Sequence, residues 1–415
     1  MNLGTKCLKL ISVLALLVLV SGDAMAHGER AQLASMRMRT VHWFDIKVEP
    51  QNVKVGDTIV MTGKFIPSKF WPEQLPSVDD TFFLNVGLPG PKFIRVNSEI
   101  NGVPMIRSTA AEKGKLYEFK VVVRARVAGR YHMHPLLNVK DAGTLVGKGT
   151  WIDVDESDSD APYVNEVTTM QGDVIDLENY ALGNVYFWHV VWIILGLAYL
   201  IYWLILPRAG VFIPRYMFIA ESGIDKANSL VTKKDFMVSG VFFTVTLAII
   251  LTGYLWAESK YPVTIPLQTG KVEVVGLEVP TGGLEIKVEN ATYELTGRNL
   301  SMRTRMKNTS ASPIRIAEFI TANIRFINDK VPGTGLVAGE EMVSKNGLSV
   351  SVDVIAPGQE VDVLLKAEDA LWEKYRMTGL IYDPDSRFAG MLFYYDAQGN
   401  RYQQEVGGAV LPSNF

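Results

Sequence analysis

Two uncharged apolar stretches govern what this 415-residue chain can fold into. Tyr186 to Leu206 and Phe236 to Trp256 contain no Lys, Arg, Asp or Glu. Each matches the roughly 20 residues an α-helix needs to cross about 30 Å of hydrocarbon. Trp and Tyr gather at their ends, as interface anchors do. The pair reads as a hairpin of transmembrane helices at 186–206 and 236–256, joined by a loop at 207–235. That loop carries Arg208, Arg215, Lys226, Lys233 and Lys234. Residues 161–185, a linker on the other side of the first helix, hold Glu166, Asp173, Asp176 and Glu178 without any Lys or Arg. Basic residues stay cytoplasmic, so the 207–235 loop is expected in the cytoplasm and both large flanking regions on the exported side.

The N-terminus leads to the same topology. Lys6 and Lys9 precede an apolar core from Leu10 to Val20, and Ser21-Gly22-Asp23 breaks the run before Ala24-Met25-Ala26. This is the layout of a secretory signal peptide with a small-x-small cleavage site. Residues 1–26 are therefore expected to be removed, making His27 the first residue of the mature chain. Cys7, the one cysteine, leaves with the peptide. The mature chain then has no thiol, which excludes disulfides, iron–sulfur clusters and blue-copper centres. A net charge of −3 argues against nucleic acid as a partner.

The exported regions read as β. Val41 to Val48, Thr81 to Val86, Lys115 to Val127 and Thr150 to Val154 are rich in β-branched and aromatic residues. The pattern resumes in Leu284 to Leu295, Leu300 to Asn308, Asn323 to Ile327, Leu348 to Ile355, Glu360 to Ala367 and Met391 to Tyr395. Many short strands between Gly, Pro and Asn clusters predict two sandwiches, at 27–160 and 257–415. The acidic run Asp153 to Asp160 reads as a solvated linker.

Only five histidines occur, and three form one constellation. His132 and His134 lie two apart in Tyr131-His132-Met133-His134. On a strand that spacing puts both imidazoles on one face, about 6–7 Å apart along the chain. A free N-terminal His27 would add its α-amino group and its ring. An imidazole-rich, thiol-free set suits Cu(II) and also admits zinc. His42 opens a strand and is either a ligand or a hydrogen-bonded strand histidine. His189 lies inside the first apolar stretch, where an ionisable residue is a functional candidate; the plainer alternative is a hydrogen bond to a neighbouring helix or interfacial water. The chain shows no phosphate loop, H-E-x-x-H or defensible nucleophilic triad.

With these residues in view, the chain resembles the B subunit of the particulate methane and ammonia monooxygenases. The likeness spans essentially the whole mature chain. It rests on His27-Gly28-Glu29-Arg30, Met36-Arg37-Met38-Arg39-Thr40, Tyr131 to His134, Leu137 to Gly143, Phe187-Trp188-His189, Lys260 to Gln268 and Tyr382 to Gly390. The resemblance implies a mainly β protein: two exported cupredoxin-like β-sandwich domains joined by a two-helix transmembrane hairpin. It implies a copper site made by His27, His132 and His134, and assembly with membrane-embedded A and C subunits as a trimer of heterotrimers. It places the protein in a bacterial inner or intracytoplasmic membrane, with both large domains in the periplasm. The implied reaction inserts one oxygen atom of O2 into ammonia, giving hydroxylamine, or into methane, giving methanol; the sequence leans to ammonia. Some methane-oxidising relatives place a further copper between a histidine at the position of His42 and one near Ile66. Here Gly63-Lys64-Phe65-Ile66 lacks that partner. The alternative is a scaffold subunit stabilised by copper, with the chemistry in its partners. A periplasmic copper carrier with a membrane anchor is a third possibility, for which Met or Cys ligands would be more apt.

Overall fold

The computed structural model describes residues 34–412, apart from 89–90, 158–162, 170–171, 205–211, 261–269, 295–297, 335–339 and 375–385. The signal segment, His27, most of Lys260 to Gln268 and Tyr382 to Asp385 lie outside the described residues. Within them the chain is mainly β with two long apolar helices.

The first sandwich pairs two sheets. One runs in the order Val41–Glu49, Thr58–Pro67, Tyr117–Ala125, Phe93–Ile100, Val103–Pro104. The other runs Asn52–Lys54, Thr150–Asp155, Gly129–Val139, Phe82–Gly87, with Gly143–Val146 also paired to Gly129–Val139. Phe65, Tyr117 and Phe119 from one sheet share a core with Met133, Leu137 and Ile152 from the other. Strand alternation drives this: in Tyr117–Ala125 every second residue is buried. Gly63 is a packing requirement, since a Cβ there would sit 2.7 Å from the Phe119 ring. Asp153 and Asp155 are exposed residues of the Thr150–Asp155 strand, so the acidic linker begins later than the charge run implied.

The second region is one nine-stranded sheet, in the order Val343–Ser344, Ile324–Ile327, Arg315–Thr321, Arg387–Tyr395, Arg401–Pro412, Leu284–Glu294, Asn299–Asn308, Glu360–Glu368, Leu348–Val350. Phe319, Phe326 and Leu392 near one end share a core with Met302, Leu365 and Ala367 near the other. The sheet therefore folds over on itself. Trp372 is fully buried between the halves, stacked on Phe326 at 4.9 Å.

These β regions do not stand apart. Residues 1–160 and 270–415 cluster as one compact unit, and 161–269 as another. Phe44, Ile66 and Leu116 of the first sandwich form one apolar cluster with Ile320, Met391 and Phe393 of the second. Met38, in the short Ala34–Arg39 helix that precedes the first strand, is buried in the second sandwich's core. Past the helices, the chain bridges to the first sandwich at Thr109 and Leu116 through Val272 and Leu277.

The 161–269 unit holds a small hairpin, Glu166–Thr168 with Val174–Asp176, in what was expected to be plain linker. Two helices follow, Leu182–Leu204 and Lys233–Lys260; the first begins four residues ahead of its apolar stretch, and the second extends past both ends of its own. They pack together through Tyr199 stacked on Phe242 at 4.3 Å and through Tyr202, which donates to Asp235 at 2.6 Å. Thr232 and Asp235 cap the second helix reciprocally. No part of either helix's most apolar window is buried within the chain. A core helix of a water-soluble protein would be covered, so these surfaces suit lipid or partner helices.

Candidate metal centre

His132 and His134 sit mid-strand in Gly129–Val139, where Tyr131, Met133, Pro135, Leu137 and Val139 point into the core. Period-two alternation then turns both imidazoles to the outer face of that sheet. Their rings meet edge to face with centroids 4.4 Å apart. His132 Nδ1 and His134 Nε2 face each other at 3.0 Å.

The outer nitrogens define the tautomers. His134 Nδ1 lies 3.0 Å from the Gly147 carbonyl oxygen, which can only accept, so this nitrogen carries the proton. His132 Nε2 lies 3.1 Å from a Glu341 carboxylate oxygen and donates likewise. In the neutral rings the two inner nitrogens then both present lone pairs. Two lone pairs at that distance repel unless a proton or a cation lies between them. Two nitrogens each about 2.0 Å from one ion and 3.0 Å apart subtend close to a right angle. The donor set therefore fits a metal ion of the imidazole-binding class.

Gly149 closes the face beside the rings. A Cβ there would lie 2.4 Å from His134 Cε1 and 2.7 Å from His132 Cε1. Its φ is outside the left-handed range, so alanine is tolerable to the backbone and intolerable to the imidazoles. Gly149→Ala is expected to push the rings off their ties and weaken Cu(II) binding by at least the roughly 10- to 100-fold typical of supporting residues. Circular dichroism should stay unchanged. A variant that titrates with Cu(II) like the parent would show the rings are not held as described.

Among the described residues no group of three or more His, Cys, Asp or Glu side chains is placed to hold a metal. The pair His132 and His134 is what the structure brings together, and His27 lies outside the described residues. His42 takes no part. It is buried, with Nε2 donating to Glu405 at 2.9 Å across the two sandwiches. Ser68 and the Lys69 N–H also donate to Glu405. Burial would raise the Glu405 carboxyl, but the His42 hydrogen bond and charge, with Ser68 and Lys69, hold it below the ordinary range. Ile66 pairs directly with His42 in the sheet. His189 Nδ1 donates to the Val185 carbonyl of its own helix at 2.7 Å, rather than to a neighbouring helix.

Glu341, Trp151 and Gly149 complete the surroundings of the rings, and none was singled out from sequence. Trp151 is the register partner of His132, with ring centroids 4.7 Å apart; a lone Trp in a strand carries no metal signature. Glu341 is 209 residues away from His132.

Beside the centre, a cleft of about 1180 Å³ between the sandwiches is lined by Lys148, Gly149, Glu318, Arg325, Glu340 and Arg401, among others. Arg325 bridges Glu318 at 2.6 Å and Glu340 at 2.8 Å, and Lys148 meets Glu340 at 2.6 Å. Arg401 meets Asp45 at 2.6 Å and Glu318 at 3.3 Å. Asp45 reaches it from a bulge at positive φ. Burial pushes the Lys148 ammonium below its ordinary value even with Glu340 beside it.

Comparison with known proteins gives a consistent result. The family model for monooxygenase B-subunit proteins matches residues 28–414. The particulate methane monooxygenase alpha subunit of Methylococcus capsulatus (strain Bath) is 42% identical over 406 residues, covering 97% of this chain and 96% of that protein. Among solved structures, the cupredoxin domain of amoB from Nitrosocaldus yellowstonii aligns with 32% of this chain and 99% of that chain, at 14% identity and a TM-score of 0.23.

Proposed function

Because this chain belongs to the monooxygenase B-subunit family, and so is part of an oxidoreductase complex, we propose that it is the copper-binding subunit of a membrane-bound monooxygenase. The observation that carries this is the tautomer-locked pair, His132 Nδ1 facing His134 Nε2 at 3.0 Å. His27, freed by cleavage after Ala26, supplies its amine and imidazole as the remaining donors. Bound copper would supply redox chemistry with O2. This chain's residues hold the ion, fix both rings and close one side of the site with Gly149.

The partners are membrane-embedded A and C subunits, assembled as a trimer of heterotrimers in a bacterial inner or intracytoplasmic membrane. The exposed apolar helices are where those subunits and lipid would sit. Two crossings return the chain to the side it left. The packing of 1–160 with 270–415 into one unit supports both sandwiches, cupredoxin-like in this reading, lying together on the periplasmic side. The basic 207–235 segment supports a cytoplasmic loop.

The substrate is a small molecule oxidised by one atom of O2: ammonia by the lean of the sequence, with methane as the alternative. Native membranes should accumulate hydroxylamine from ammonia faster than methanol from methane, and the isolated subunit should begin at His27 and carry copper. A mature chain starting elsewhere would remove the amine donor and overturn the three-histidine site. Methanol as the dominant product would reverse the substrate assignment.

A further inference from the structure

The outer nitrogen of His132 is held by a residue from the other sandwich. Glu341 Oε2 accepts from His132 Nε2 at 3.1 Å, and Oε1 accepts from Trp151 Nε1 at 2.8 Å. One carboxylate thus satisfies two N–H groups, one on each oxygen. The Trp151 ring, tilted by 30° against the His132 ring, leaves the imidazole little freedom to swing.

Glu341 is itself fastened. Its neighbour Glu340 is gripped by Lys148 and Arg325. Arg325 is anchored in turn on Glu318, whose side chain is 1% exposed. On the other side, Arg325 N–H donates to the Met342 carbonyl at 2.9 Å, and Val343–Ser344 pairs with Ile324–Ile327. The carboxylate is therefore aimed at His132 by a half-buried ion ladder, anchored on the buried Glu318, and by a strand.

Its contribution to stability is small. The Glu341 side chain is 40% exposed, and exposed pairs contribute little stability. What it supplies is orientation. Histidine ligands are fixed by the acceptor on their other nitrogen, and losing that acceptor typically weakens metal binding about 10- to 100-fold.

We propose that Glu341 is a positioning residue of the metal centre: delivered by the second sandwich, it locks His132 in the tautomer and orientation that turn Nδ1 towards His134. This rests on the assignment of His132 and His134 as copper ligands. It makes the second sandwich part of the site, although it contributes no ligand among the described residues.

The test uses membranes holding the assembled complex, stripped with a chelator and titrated with Cu(II). The readout is the Cu(II) paramagnetic resonance signal that is absent from a His132→Ala/His134→Ala control. Glu341→Ala should weaken binding by about 10- to 100-fold and change the hyperfine splitting. Glu341→Gln, nearly the same shape, keeps one acceptor for two donors and should give a smaller change in the same direction. Wild-type affinity and splitting in both variants would overturn the inference. A parent complex showing no signal beyond that of the histidine control would instead overturn the copper assignment beneath it.

Discussion

On the proposed copper assignment, replacing His132 and His134 together by alanine is expected to strip this subunit of copper and abolish oxidation by the assembled complex. Both rings lie on the outer face of a strand whose inward side chains hold the core. Their loss therefore costs the sandwich little packing while it removes two imidazole donors from the metal. Affinity should fall beyond the roughly 100-fold that marks the loss of a single supporting residue. The measurement is copper per complex and turnover on the same preparation. A complex that assembles, lacks this copper and still turns over at the parental rate would reduce the ion to a structural role. That outcome would favour the scaffold alternative.

Glu318→Ala carries the largest expected cost in stability. Its side chain is 1% exposed, and Arg325 and Arg401 converge on it. Burial would lower the Arg325 pKa, yet its bonds to Glu318 and Glu340 raise it, so the guanidinium stays charged. Taking away one member of such a pair leaves a buried charge short of its counter-ion, at a cost of roughly 3–5 kcal/mol. The lower end is the better expectation, because Arg325 retains Glu340 and Arg401, 26% exposed, retains Asp45. The effect should appear as an earlier thermal transition and faster proteolysis of the two-sandwich unit. Replacing Glu318 and Arg325 together by leucine should recover much of it, since well-packed apolar substitutes for buried pairs are often neutral. A single variant that melts with the parent would show that the ladder contributes nothing.

The hairpin and the histidine pair were readable in the sequence because each depends on a local rule. Length and the absence of charge define the helices, although capping by Thr232 and Asp235 extends the second beyond its apolar core. Period two puts His132 and His134 on one face whatever else the chain does. The strands Thr58–Pro67 and Arg401–Pro412 were not visible. Gly63 and Lys64 interrupt the first, and Gln403, Gln404, Gly407 and Gly408 dilute the second. Both are decided by the partners they pair with, not by their own composition. The union of the sandwiches was equally hidden. Arg401 and Asp45 are 356 residues apart, and no local pattern links them. The same holds for Glu341, whose importance comes from where it lands.

That union has a consequence for how the protein is made. Synthesis runs from the N-terminus, and the first sandwich emerges before either long apolar helix exists. It must then wait through the hairpin, which lies within the 209-residue separation of His132 from Glu341. Met38, in the short helix ahead of the first strand, finds its berth only in a core assembled from residues beyond 280. The early half is thus an unfinished piece, with an open flank and an imidazole not yet tied to its carboxylate, until the late half arrives. The orientation of His132 by Glu341 therefore belongs to the last stage of folding, once the second sandwich has docked.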